Sequence, residues 1–185
     1  LTLPSTVKTI HTQAFYHSSL SVVNLPEGLT TIEDSAFIMC ARLTTADLPS
    51  TVTYIGESAF SECDRLTSVT IPGGVEIVRT GAFNSCDRLT SVTFEEGVKI
   101  LQLQVFQDCP MLQTVRFADS ITSINYFCFS NCPLLTFDRL PANLVQLGQG
   151  VFYNCTSITS VTLPEGVTDV SAGVFRGCSA LETVF

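Results

Sequence analysis

Eight phenylalanines, Phe15, Phe37, Phe60, Phe83, Phe106, Phe129, Phe152 and Phe175, stand 23 residues apart, with a first interval of 22. A period this short makes the chain a stack of equivalent units and excludes most globular folds. Three places after each phenylalanine comes Cys40, Cys63, Cys86, Cys109, Cys132, Cys155 or Cys178, with Ser18 in the first unit. The phrase CDRLTSVT occurs twice letter for letter, at 63–70 and 86–93. A leucine or isoleucine returns six places after most of the phenylalanines, and V-x-x-I-like pairs such as Val52/Ile55 and Val75/Val78 close the unit.

Each part of the unit has a local meaning. In L-T-S-V-T-L, Val69 and Ile71 alternate with Ser68 and Thr70, a period of two rich in β-branched residues, which predicts a short strand. The Pro and Gly that follow stop the strand and turn the chain. In ESAFSEC, Ala59, Phe60 and Cys63 share one face at three- and four-residue spacing, which predicts a short helical turn. One such unit cannot bury its apolar face, whereas stacked units build a continuous core. The expected fold is a parallel α/β solenoid over residues 1–185, one coil per repeat. Its strands stack about 4.8 Å apart, so eight coils give a rod about 40 Å long. The phenylalanine and cysteine columns are its expected structural core.

Function classes narrow from composition and motifs. A net charge of −8 with only nine basic residues argues against nucleic acid, whose phosphates require clustered Lys and Arg. No apolar run approaches the roughly 18 residues of a membrane span, so no direct membrane insertion is expected of this segment. No P-loop or G-x-S-x-G pattern occurs. The cysteines form a line rather than the converging pairs of a zinc site, and read as small core hydrophobes. His11 and His17 lack an H-E-x-x-H context. GQG at Gly148–Gly150 reads as a turn, Asn154-Cys155-Thr156 has a glycosylation-acceptor pattern, and Glu27, Glu96, Asp119 and Glu165 form a solvated acidic edge. No catalytic, cofactor or metal residue is assigned, and the expectation is that the chain is not an enzyme.

The stretches AFSECDRLTSVTIPGGV and NCTSITSVTLPEGV closely resemble the BspA-type leucine-rich repeat, and the resemblance covers essentially the whole chain. It implies a right-handed solenoid, with a parallel β-sheet on the concave face and short helical or irregular segments on the convex side. It also implies a protein ligand, such as a host or extracellular-matrix protein, and a place at the cell surface or in secretion. Glu95 and Ala118 replace the usual proline, Val105 and Cys128 replace the small alanine, and Asp138 takes a valine place in the strand.

Strand alternation sends two side chains per coil outward. Most are Ser or Thr, which suit a β surface. Among the exceptions are Asp47, Arg116, Phe137 and Arg139, and an aromatic between arginines has hot-spot composition. These four residues form the expected protein-binding site. The alternative is that Phe137 turns inward and the arginines pair with carboxylates. The expectation is that about eight repeats form a fragment of a longer array, with flanking repeats or neighbouring chains covering the solenoid ends. A structural spacer or assembly component is the alternative to a non-catalytic recognition module.

Overall fold

The structure is a computed structural model and describes residues 1–185. In chain order its strands are β1 (Thr9–Ile10), β2 (Thr31–Ile32), β3 (Tyr54–Ile55), β4 (Ser68–Ile71), β5 (Ile77–Val78), β6 (Ser91–Phe94), β7 (Ile100–Leu101), β8 (Thr114–Arg116), β9 (Ser123–Ile124), β10 (Gln146–Leu147), β11 (Ser160–Val161) and β12 (Thr183–Val184). Every pairing between these strands is parallel and joins a residue to its equivalent one coil away, as in Ser68 with Ser91 and Ser91 with Thr114. The chain is therefore a parallel β-solenoid of about eight coils.

Two ladders run along it where one was expected. The L-T-S-V-T-L segments supply β4, β6 and β8, and later β11 and β12. The V-x-x-I segments supply a second column, β1-β2-β3 and β5-β7-β9-β10. Between β3 and β5 the second column is interrupted at Pro72-Gly73-Gly74. There Glu76 N–H donates to Gly74 O of its own coil at 3.2 Å, whereas the equivalent Lys99 N–H reaches Glu76 O of the preceding coil at 2.8 Å.

The short helical turns expected around each phenylalanine are absent, and the backbone shows why. The residues two before and two after the phenylalanine are left-handed in every coil, as at Ser35 and Met39 (φ 56° and 60°) and Gln104 and Asp108 (57° each). A left-handed residue every fourth position forbids the continuous right-handed α conformation. Alternate N–H groups then take different routes. Ala36, Ile38 and Cys40 donate three residues back within the coil, while Ser35, Phe37 and Met39 each donate to the next coil, to Glu57, Ala59 and Ser61 O at 2.8 Å. These segments behave as a third, non-strand ladder along the axis.

The side chains between the ladders form a single core of 49 buried apolar residues. Phe37, Phe60, Phe83, Phe106, Phe129 and Phe152 are fully buried, and Phe15 and Phe175 at the two ends are partly so. All eight rings stack in one file, with centroids 5.0–5.9 Å apart and planes within 12° of parallel. Beside it, Phe94 and Phe117 stack on each other at 6.0 Å and meet Phe106 and Phe129 edge-on. Aromatic pairs add about 0.5–1.5 kcal/mol each beyond area burial.

Phe106 touches rings on both sides along the file and Phe94 at its edge. Phe106→Ala is expected to cost about 3–5 kcal/mol through cavity formation. Denaturant unfolding checks it, and an unchanged midpoint would contradict the stacking.

Candidate functional site

The expected binding face is the outer side of the first ladder. Val69, Ile71, Val92, Phe94 and Val115 point into the core, which leaves Ser68, Thr70, Thr114 and Arg116 exposed and Ser91 and Thr93 half-exposed. Asp47 is exposed at the equivalent place in the second coil. Neither Asp47 nor Arg116 forms an ion pair, so both charges remain free on this face.

Coil six departs from the pattern, and the expected exposed Phe137 must be corrected. Thr114 pairs with Thr136 instead of Phe137, a slip of one residue. A one-residue slip exchanges the two faces of a strand. Phe137 becomes half-buried, packing edge-on against Phe117 at 5.9 Å and tilted against Phe152 at 5.1 Å. Asp138 is expelled to solvent, and Leu140 regains the buried place at the end of the segment. The slip avoids burying an unpaired carboxylate, a far larger cost than an irregular strand. It also ends the β4-β6-β8 sheet.

Arg139 is likewise not a free guanidinium. It holds Asp119 through both of its terminal nitrogens, Nη1 to Oδ1 and Nη2 to Oδ2, the latter at 2.9 Å. Asp119 Oδ1 also accepts the Ala142 N–H at 2.9 Å. With Arg139 first and the Ala142 amide second, the Asp119 carboxyl is held down at about 2. Of the four expected site residues the structure leaves Asp47 and Arg116 open, pairs Arg139 and turns Phe137 inward. It does not bring them into one cluster.

The acidic edge has a structural duty. Glu96 accepts the backbone N–H groups of Asp119 and Ser120 in the next coil, at 2.8 and 3.1 Å. Asp34 does the same for Glu57 N–H at 2.9 Å. In the other direction, Glu33 accepts Thr12 N–H at 2.9 Å and lies 3.2 Å from His11 Nδ1. Carboxylates thus take up turn N–H groups that the ladders leave unpaired.

The cysteine column carries no exposed chemistry. All eight cysteines are free and buried. Seven thiols donate to the carbonyl of the phenylalanine one coil back, from Cys40 to Phe15 O at 3.0 Å through to Cys178 to Phe152 O at 3.0 Å. Burial, the first cause, pushes the Cys86 thiol up to about 12 and raises Cys63, Cys109, Cys128 and Cys155 as well. Thiolate is the reactive form, so these groups are inert while folded. Nowhere do three His, Cys, Asp or Glu side chains converge as a metal site would require. The Asn154 amide of the glycosylation-like triplet donates to Asn131 Oδ1 at 2.9 Å from a left-handed turn.

Stacked parallel coils, inward aromatic and thiol columns and an outward hydroxyl-bearing ladder together define a leucine-rich-repeat solenoid. The sequence matches the BspA type leucine rich repeat region in six copies, over residues 1–113 and 81–185, and the chain belongs to that family. Among solved structures it is similar to a leucine-rich repeat protein from Bacteroides ovatus, at 27% identity and a TM-score of 0.76 over 99% of this chain and 54% of that one. A leucine rich cell surface protein from Faecalibacterium prausnitzii shares 29% identity, with a TM-score of 0.65 over 99% of this chain and 58% of that one. The T. pallidum leucine rich repeat protein shares 27% identity, with a TM-score of 0.71 over 89% of this chain and 68% of that one. The chain spans just over half the length of the first two. A comparison with curated proteins found no match.

One feature escapes sequence reasoning, a notch on the turn side at coils six to eight lined in part by Phe127, Tyr153 and Arg176. Its signal in the sequence is Gly150 and Gly173 falling in the column that holds Phe127.

A thiol raised in the folded state contributes stability that is complete below its unfolded value. That contribution is lost as pH rises toward the folded value, here between roughly pH 9 and 12. Thermal stability is therefore expected to fall above about pH 9, with a shallower alkaline slope in Cys86→Ala. A disulfide-exchange reagent should modify the thiols only at the rate of unfolding; rapid labelling of the folded protein would contradict their burial.

Proposed function

We propose that this chain is a non-catalytic protein-recognition module of a surface or secreted protein, adhesive toward host or matrix proteins. It binds through the outer face of the first ladder. The observation that carries this reading is the row of exposed and half-exposed side chains from Thr45 and Asp47 through Ser68, Thr70, Ser91 and Thr93 to Thr114 and Arg116. Rigid coils hold it at repeat spacing without converging on any reaction centre. Solenoids use extended surfaces of this kind for binding. Arg116 is the cation of choice for contact, because it is unpaired and arginine is enriched where interfaces concentrate their energy. Arg139 and Phe137 act from behind it, fixing the end of the ladder through Asp119 and through the core. The similarity to a protein described as a leucine rich cell surface protein supports the location.

The test is capture of purified extracellular-matrix proteins by the immobilised chain, compared with a Thr70→Arg/Thr93→Arg/Arg116→Glu variant. These positions are exposed or half-exposed, so circular dichroism should not change. Binding is expected to weaken by at least roughly tenfold, as for central interface residues. Capture that survives the triple change would place the contact elsewhere.

A further inference from the structure

A small notch that reaches solvent lies away from the strand face. In coil six the sequence Tyr126-Phe127 puts two adjacent aromatics on the turn side, and in coil seven Gly148-Gln149-Gly150 lies beneath them. A Cβ on Gly148 would come within 2.9 Å of the Tyr126 ring, and one on Gly150 would run into the Phe127 ring. Each aromatic of coil six thus rests on a glycine of coil seven. One coil further on, Gly173 occupies the same column with nothing over it; a Cβ there would meet only Arg176 Cβ, at 3.7 Å.

The result is a notch of about 230 Å³ whose lining includes Phe127, Tyr153, Gln149, Gly150, Gly173 and Arg176. Its frame is rigid. Phe127 N–H donates to Gln149 O at 3.0 Å, Gly150 N–H to Ala172 O at 3.2 Å, and Asn154 N–H to Arg176 O at 2.8 Å. Phe127 adopts φ +56°, the one aromatic in the left-handed column two residues before the core phenylalanines. The bonds between coils impose this conformation on Phe127 as on the equivalent residue of every other coil.

The contents can be argued from size and charge. Ligand sites for drug-sized molecules run to about 300–1,000 Å³, so this notch admits one side chain rather than a large ligand. Two aromatic rings in the lining favour a third ring, offset or edge-on. The Arg176 guanidinium lies 5.9 Å from the Tyr153 ring centroid, is exposed, and makes no ion pair in a chain of net charge −8. An unpaired guanidinium beside a ring slot selects a carboxylate next to the ring, through two parallel N–H···O bonds.

We propose that the notch formed by Phe127, Tyr153, Gly173 and Arg176 seats an aromatic side chain from an acidic peptide segment of a partner protein. This rests on the recognition-module reading and adds a second contact, on a different side of the solenoid from the strand face.

Fluorescence anisotropy of a labelled Asp-Glu-Tyr-Asp-Glu peptide tests it, against Asp-Glu-Ala-Asp-Glu and Lys-Lys-Tyr-Lys-Lys. Saturable binding of the first peptide alone is expected, weakened by at least roughly tenfold in Arg176→Glu and in Tyr153→Ala and unchanged in Arg116→Glu. Arg176 is exposed, so its reversal leaves the fold intact even if Tyr153→Ala loosens coil seven. Equal binding of the alanine or lysine peptide, retention in Arg176→Glu, or no saturation at millimolar peptide would each overturn the notch. Loss in Arg116→Glu would move the peptide to the strand face and overturn the notch equally. Peptide binding without matrix-protein capture would sink the adhesive reading and leave the notch standing; the reverse pattern would sink the notch alone.

Discussion

Everything in this molecule depends on hydrogen bonds that run along the solenoid axis between equivalent residues of successive coils. A coil of 23 residues cannot satisfy its own backbone, and a buried amide without a partner costs several kcal/mol in an apolar medium. The turn around each phenylalanine makes the dependence plain. Phe37, Phe60, Phe83, Phe106, Phe129 and Phe152 each give their N–H to the coil that follows, at 2.8–3.0 Å. Those bonds form only if successive turns share one conformation. The left-handed pairs at Ser35/Met39, Ser58/Glu62 and Phe127/Asn131 are therefore a collective requirement rather than local preferences. Once the turns are in register, the rings they carry have no choice but to stack.

The same constraint explains the cysteines. At that position the side chain points between two coils, toward a phenylalanine carbonyl that already accepts an amide in several turns, as Phe37 O does from Cys40 N–H at 3.1 Å and from Cys63 Sγ at 3.3 Å. A residue there must be small, tolerate full burial and offer one weak donor. Cysteine meets all three conditions. In the first coil Ser18 stands in its place, half-buried and 3.3 Å from Cys40 Sγ. The repeated thiol thus follows from packing, and its raised pKa is a by-product of the burial that packing imposes.

Much of this is legible in the sequence and some is not, for definite reasons. The 23-residue period, the inward alternation of Val69 and Ile71 and the coil-to-coil register follow from hydrophobic spacing. The turn reads as helical because i, i+3 and i+4 neighbours look alike whether or not every fourth residue is left-handed; Ser, Asp and Asn at those positions are the available clue. The second ladder escapes notice because each of its strands is two residues long. Carrying one register through coil six misplaces Phe137, although Asp138 in a valine place announces that the register cannot hold. Asp47 and Arg116 are exposed as expected because their coils keep the regular register.

Charge decides what is left for partners. Glu96, Asp119 and Asp34 are occupied by backbone amides, and Arg139 and Lys99 by carboxylates. Arg79 lies over the Tyr54 ring at 4.7 Å. Arg116 and Arg176 make no ion pair, although Arg176 lies 5.9 Å from the Tyr153 ring centroid, and the exposed Arg42, Arg65 and Arg88 are likewise without a carboxylate partner. A chain of net charge −8 repels acidic partners at long range, so such a partner must be held by short contacts at isolated cations. That geometry favours recognition by a few well-placed side chains over broad electrostatic steering. It also makes each free arginine more informative about partners than the whole acidic edge.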